Sequence, residues 1–372
     1  MNLITNRNTG LLWCVYTLFI CALIVLTHNH HTVTPNYFTA AQNWLQGKDL
    51  YNGTGTGFIY FPTAAILYIP LTKLPFLMSE VIWRVLSIAI FAYGLFCFSS
   101  LLDSKNKALN YFFMTLIAIP LGFASARNGQ MNFLMAGILL LATVSLSNQK
   151  WILSAFLFVS ALALKPIAIV FLLLAAALNF RLMKYLILFI FVLIGLSFLT
   201  QSPHYVYTQY RESFTMLLTA GNLGVETTTD WAQIFSMLAQ FGVPIAYFWQ
   251  TIIRVLAAVL TLVIAYLIGK KSDRQTTCFY LYMLSAIYLM IFNPRTENND
   301  YIILAPAIGF YLSLAFQKQQ KIIASLLLII TIGIAGSYTV GEWLTPGHHT
   351  WLAPLMTLVF IIIVGWIRRA AP

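Results

Sequence analysis

Apolar segments of roughly 16 to 20 residues recur from one end of the chain to the other, long enough as helices to cross a hydrocarbon core of about 30 Å. Runs such as 167–174 and 322–332 do not alternate between apolar and polar positions, which excludes a membrane barrel. A first helix is expected over 11–27. The polar stretch that follows contains residues 37–45, with helical apolar spacing and a glycine stop at Gly47, as in a helix lying along the membrane surface. Residues 60–75 are apolar but carry Pro62, Pro70 and Pro75, which would break a crossing helix, so they predict a surface or re-entrant helix. A second span is expected over 79–102. Counting one crossing between successive polar breaks gives about twelve spans, with two short helices sharing 151–180. The pattern predicts an all-α, polytopic membrane protein with one transmembrane domain over 1–372, a first external loop over 28–78 and a large external region over 201–245.

Composition agrees, since 60% hydrophobic, 8% charged and 15% aromatic residues leave too little polar surface for a water-exposed globule. The formal charge of +11 is spread singly and in pairs, without the aromatic-interleaved stripe of a nucleic-acid binder, so nucleic acid is not an expected partner. It reads instead as topology. With a cytoplasmic N-terminus, Arg7, Lys105, Lys107, Lys150, Arg181, Lys184, Lys270, Lys271, Arg274, Lys318, Lys321, Arg368 and Arg369 all fall on the cytoplasmic side, as does the C-terminus. The expected location is a bacterial inner (cytoplasmic) membrane. A single basic residue, Arg7, and no small-residue cleavage site before residues 28–31 favour a retained first helix over a secretory signal. Cys14, Cys21, Cys97 and Cys278 lie in apolar stretches without metal-ligand spacing and read as small hydrophobes.

Only ten residues are acidic, and topology sorts them. Asp103 and Asp273 join the cytoplasmic side. Asp49, Glu212, Glu226, Asp230, Glu297, Asp300 and Glu342, with Glu80 at the start of the second span, gather on the other. Lys48, Lys73, Arg127, Lys165, Arg211 and Arg295 lie there too, against the usual charge bias. Ionisable groups collected at one membrane edge mark the place to look for chemistry.

The order of several short motifs resembles glycosyltransferase family 87. Ala40-Ala41, Trp44-Leu45, Gly47, Asp49 and Tyr51, then Tyr60-Phe61-Pro62, Pro70-Leu71 and Leu74-Pro75, look like that family's first external loop. Gly129-Gln130 with Asn132, followed by Ala163, Lys165 and Pro166, continues the likeness. The resemblance implies a GT-C-type fold and an enzyme without a cofactor, transferring a hexose such as mannose from a polyprenyl-phosphate donor on the extracytoplasmic side. It further implies inversion, membrane lipids as partners, and a glycolipid or cell-envelope glycan as acceptor. In related mannosyltransferases the catalytic Asp lies near the start of this loop, where Val33, Thr34, Pro35 and Asn36 stand here. The family's later external histidine is also not evident, Asn298 and Asn299 standing in that loop.

Inverting transfer needs a base beside the acceptor hydroxyl and positive charge on the departing phosphate. Asp49, Glu297 and Asp300 are the candidate bases, and Arg127, Lys165 and Arg295 the candidate phosphate ligands. Each has a plainer reading, as a turn residue, a helix cap or a cation snorkelling to the interface. Asn36, Tyr51, Tyr60, Gln130, Asn132, Asn298, Asn299, His204, Tyr207 and Arg211 are expected to line the cavity. On a helix Gln130 and Asn132 would point about 200° apart, so only one would face it. No metal is expected, although His28, His30 and His31 lie within four positions; they read as a polar helix end. Two alternatives stay open: a lipid-linked sugar transporter or flippase, and a family member that binds lipid-linked sugar without transferring it.

Overall fold

The computed structural model describes residues 4–27, 32–51, 56–226, 231–347 and 349–369, with side chains for all of these except 223–226 and 368–369. Helices α1 (Asn6–Thr27), α2 (Thr34–Gln46), α3 (Pro62–Tyr68), α4 (Phe76–Phe98), α5 (Lys107–Asn128) and α6 (Asn132–Ser147) form the first part. Next come α7 (Trp151–Leu164), α8 (Ile169–Leu178), α9 (Phe180–Phe198), α10 (Pro203–Glu226), α11 (Ile234–Gln240) and α12 (Tyr247–Lys271). The chain ends with α13 (Arg274–Phe292), α14 (Ala305–Gln317), α15 (Lys321–Ala335), α16 (Ser337–Leu344) and α17 (Leu352–Arg369). Tight 3-10 turns occupy Ile69–Lys73, Pro166–Ala168 and Asn298–Ile303. The described residues contain no strand.

The expected number of spans is corrected. Six helices, α1, α4, α5, α9, α12 and α13, are long and apolar enough to cross a membrane, and a seventh span results if α15 and α16, bent by 84° at their junction, count as one. About twelve does not hold. The polar breaks do separate apolar helices, but α6 has 16 residues and α7 has 14. At about 1.5 Å per residue, such helices fall short of a core of about 30 Å. Hydropathy alone did not separate a crossing helix from a short helix buried in protein: thirteen of the residues of α6, from Asn132 to Ser147, are shielded from the surroundings.

The first loop contains two short helices, α2 and α3, as its proline and glycine punctuation implied. Gly47 ends α2 in the left-handed conformation at φ 66°, where glycine escapes the Cβ penalty. Residues 151–180 hold α7 and α8, separated by the turn at Pro166. Most of the large region expected as loop is helix α10.

The chain divides into two compact units. The first comprises residues 12–94 and 125–223. In it, α4 and α6 meet at glycines: a Cβ on Gly94 would lie 2.6 Å from the Gly137 carbonyl oxygen, and one on Gly137 would lie 2.6 Å from Phe91 Cα. Close approach of small residues lets helices pack without a water-driven hydrophobic force. An aromatic cluster of Tyr37, Tyr60, Tyr68 and Trp83 fastens α2 and α3 to α4, with Tyr68 and Trp83 ring centroids 5.1 Å apart. The second unit comprises residues 1–11, 95–124 and 224–372. There Phe98 stacks on Phe279 at 5.6 Å, and Gly309 brings α14 against the backbone of Met114 on α5.

Candidate functional site

In the unit formed by residues 12–94 and 125–223, the start of the first loop is fixed by a polar node absent from the expectations above. Arg84, in α4, is 1% exposed. Its Nη1 donates to the Glu80 carbonyl at 3.1 Å and approaches Glu80 Oε1 at 3.4 Å. Its Nη2 donates to Thr32 Oγ1 at 3.1 Å and to the Arg127 carbonyl at 2.9 Å, while Nε reaches the same carbonyl at 3.3 Å. Thr32 donates to Glu80 Oε1 at 2.6 Å, and Thr34 donates to the same oxygen. Two further donors meet the end of α5, the Val33 amide on the Asn128 carbonyl and the Trp83 indole on the Gly129 carbonyl, both at 2.9 Å. Thus the last two carbonyls of α5, those of Arg127 and Asn128, and that of Gly129 just beyond it are satisfied by a cation, an amide and an indole. Gly129 makes room for this, at φ 66°; a Cβ there would lie 2.6 Å from Thr34 Cγ2 and 3.0 Å from Arg84 Nη2.

A legible signal pointed to the node. Glu80 and Arg84 stand four apart inside an apolar run, the spacing that joins side chains on one helix face. Thr34, at the stretch where the resembling family keeps an acid, hydrogen-bonds to Glu80 instead.

Asp49 is exposed and held from one side. Gln209 Nε2 donates to its Oδ1 at 3.0 Å, while Gln209 Oε1 accepts from the Leu50 amide at 3.0 Å. Beside it, Tyr205 donates to the Lys48 carbonyl at 2.6 Å. Burial, helped by the Asp49 carboxylate, pushes the Tyr205 phenol up to about 12, so it stays a donor at neutral pH. Tyr51 is half-buried and donates to the Tyr60 carbonyl at 2.7 Å. Burial raises its phenol well above the usual tyrosine value. Tyr60 is buried, its hydroxyl 3.3 Å from that of Tyr37. Asn36 is exposed at the start of α2.

Lys165 sits where α7 stops, in extended conformation ahead of Pro166. Its ammonium donates to Asn132 Oδ1 at 2.7 Å. Asn132 is fully buried at the first turn of α6, and its Nδ2 has no hydrogen-bond partner among the described residues. Gln130 lies just before α6 and is 8% exposed. Its separation from Asn132 is therefore set by a turn as well as by helix geometry. Arg127 is half-buried and donates through Nε to Asn128 Oδ1 at 3.1 Å.

The aromatic and basic cluster of α10 is divided by helical periodicity. Tyr205 and Tyr210 fold inward, Tyr210 lying 3.1 Å from Ser197 Oγ. His204, Tyr207 and Arg211 occupy the exposed side, and Arg211 pairs with Glu212 at 3.1 Å.

The other candidates lie in the second unit. Glu297 and Asp300 form a reciprocal cap on the turn Asn298–Ile303: each side chain accepts from the other's backbone amide, and Asp300 Oδ2 does so at 2.8 Å. Asp300 is 1% exposed. Asn299 Nδ2 donates to Glu297 Oε2 at 3.2 Å, and the side-chain oxygens of Asn298 and Asn299 are buried without a hydrogen-bond partner among the described residues. The Arg295 guanidinium stacks 4.5 Å from the Trp231 ring. The Ala232 amide donates to the Thr296 carbonyl at 2.7 Å, and the Tyr301 hydroxyl to the Ala232 carbonyl at 3.1 Å. Arg254, also absent from the expectations, reaches from α12 to the Phe292 carbonyl at 2.9 Å and to Gln250 Oε1 at 3.1 Å. A cation within a long apolar helix was its signal. His28, His30, His31 and Asp230, and the side chain of Glu226, lie outside the described residues.

An all-helical chain with six or seven candidate spans and ionisable groups placed at helix ends and breaks is a polytopic membrane protein. The chain belongs to glycosyltransferase family 87, whose profile matches residues 58–293. No curated protein and no solved structure matches it significantly. The family stretch contains Glu80, Arg84, Arg127, Gln130, Asn132 and Lys165. Asp49, Arg295, Glu297 and Asp300 fall outside it.

Proposed function

We propose that the protein transfers a hexose such as mannose, with inversion, from a polyprenyl-phosphate donor to a lipid or cell-envelope glycan acceptor on the extracytoplasmic side of the membrane. Family membership supports sugar transfer, and the observation that carries the donor assignment is the pairing of Lys165 with Asn132. A lysine ammonium at a proline-marked helix break, within the family stretch, is bonded to an amide whose own donor is buried without an acceptor among the described residues. A buried donor left over beside a cation suits an anionic oxygen. Arg127, in the same unit, joins Lys165 in this role.

Asp49 fits the base better than the other acids. Its carboxylate is exposed and is steadied by Gln209, whereas Glu297 and Asp300 are engaged in capping one another's backbone. A base must come within about 3 Å of the hydroxyl it deprotonates, so an open carboxylate is required. Tyr51, half-buried and bonded to the carbonyl of the buried Tyr60, would serve as a wall for a sugar.

The test uses protein purified into nanodiscs and supplied with a panel of polyprenyl-phosphate sugars and membrane lipids. Sugar transfer is read by mass spectrometry, alongside donor binding. Asp49→Asn is expected to lower turnover by at least about 100-fold with donor binding retained, since general-base contributions are about 10²–10⁴-fold. Lys165→Ala is expected to weaken donor binding. Turnover that survives Asp49→Asn would remove Asp49 as base, and donor binding without transfer of any sugar in the wild type would make the protein a binder or transporter.

A further inference from the structure

At the opposite end of α7 from Lys165, roughly 20 Å away along the helix, an open groove of about 530 Å³ runs between α7 and α9. Its walls are almost wholly apolar: Trp151, Ile152, Leu153 and Phe156 from α7, and Phe189 from α9. Phe156 and Phe189 meet edge to face at 5.6 Å across the groove lining. One end is basic. Lys150 lines the groove beside Tyr185, and Lys184 lies 4.9 Å from the Tyr185 ring centroid. Arg181, one turn before Tyr185, is exposed, as are both lysines.

The sequence leaves this end without compensation. No Asp or Glu occurs between Asp103 and Glu212, so none of α6, α7, α8 and α9 offers these cations an acidic partner. A trough of apolar side chains that ends in exposed, acid-free cations matches one occupant, a molecule with a hydrocarbon tail and an anionic head. We infer that the groove is a binding site for an anionic phospholipid, its phosphate at Lys150 and Lys184 and an acyl chain along Phe156 and Phe189. The volume falls within the roughly 300–1,000 Å³ of small-ligand sites, and basic pockets between membrane helices are a known form of phospholipid recognition. The cations at this end, Lys150, Arg181 and Lys184, favour an anionic over a zwitterionic headgroup in whichever leaflet the groove opens.

The site does not depend on the sugar-transfer reading, because it uses neither Lys165 nor Asp49. Delipidated protein in detergent is titrated with phosphatidylglycerol and with phosphatidylethanolamine of the same acyl chains, and bound lipid is counted by native mass spectrometry. Phosphatidylglycerol should bind with clear preference. Lys150→Gln and Lys184→Gln should each weaken it about five-fold, and the double variant about 25-fold, as expected for roughly independent cation contributions near the headgroup. Phe156→Ala should weaken both lipids, through the tail. Both lysines are exposed, so their replacement does not threaten the fold. The control Lys105→Gln/Lys107→Gln removes two cations elsewhere and should leave binding unchanged. Equal binding of the two lipids, no loss in the double variant, or an equal loss in the control would each overturn the assignment.

Discussion

Arg84 illustrates what a single buried charge does in this chain. Its donors are divided among Glu80, Thr32 and the Arg127 carbonyl, so replacing it leaves Glu80 buried and two segments without donors. Removing one member of a buried pair typically costs about 3–5 kcal/mol. Arg84→Met should therefore lower stability by that order in denaturant or thermal unfolding, and Glu80→Gln, which keeps the shape and accepts from Thr32 and Thr34, should cost less. Equal effects would mean that the charge of Glu80, not its hydrogen bonding, matters. A second residue gives a pH signature. Asp273 caps α13, and hydrogen bonds from Thr276 hold its carboxyl below the ordinary value of 3.8. A depressed folded value means that its contribution is complete above that ordinary value and is lost as pH falls through the folded one. In Asp273→Asn the unfolding midpoint should consequently fall less steeply on acidification below about pH 4, and profiles that run parallel there would refute the cap's share. Sequence reading reached the acids and cations at the ends of apolar runs because isolated charges are conspicuous there. It passed over Arg84 and Arg254 although both are cations inside apolar runs and Glu80 stands one turn from Arg84; their carbonyl partners, at Arg127 and Phe292, leave no mark in a sequence.

At the scale of elements, the sequence identified the helices better than their role. Proline and glycine punctuation located α2, α3 and the α7–α8 break, because those residues restrict the backbone locally. Whether a helix crosses a membrane depends on its length and on what surrounds it, and α6 and α7 were too short. The contact of α4 with α6 through Gly94 and Gly137 needed three dimensions, since glycines in apolar helices have no fixed partner in sequence. It predicts that Gly137→Ala, whose Cβ would lie 2.6 Å from Phe91 Cα, destabilises by about 1–3 kcal/mol, the usual cost of overpacking. Gly10→Ala, with nothing within 4 Å of the added carbon, is the matching control. Helix propensity favours alanine at both positions, so a gain at Gly137 like that expected at Gly10 would refute the packing account.

For the whole molecule, the charge asymmetry predicts sidedness. Cysteines introduced at Lys48 and Lys105, separated by the single span α4, in a background with Cys14, Cys21, Cys97 and Cys278 replaced by serine, should react with impermeant reagents from opposite sides of sealed vesicles. Labelling of both from one side would overturn the positive-inside reading. The family stretch, residues 58–293, draws residues from both compact units, so neither unit alone accounts for it. The end of α5 carries a separate implication. Because one guanidinium holds both the Arg127 carbonyl and Thr32, and the Val33 amide is bonded to Asn128, the entry to α2 and the exit of α5 share a common fastening. Hydrogen exchange should register this as a single opening event. The Val33 amide and the last amides of α5 should become labelled together, at one rate, and a substitution at either end should accelerate exchange at the other.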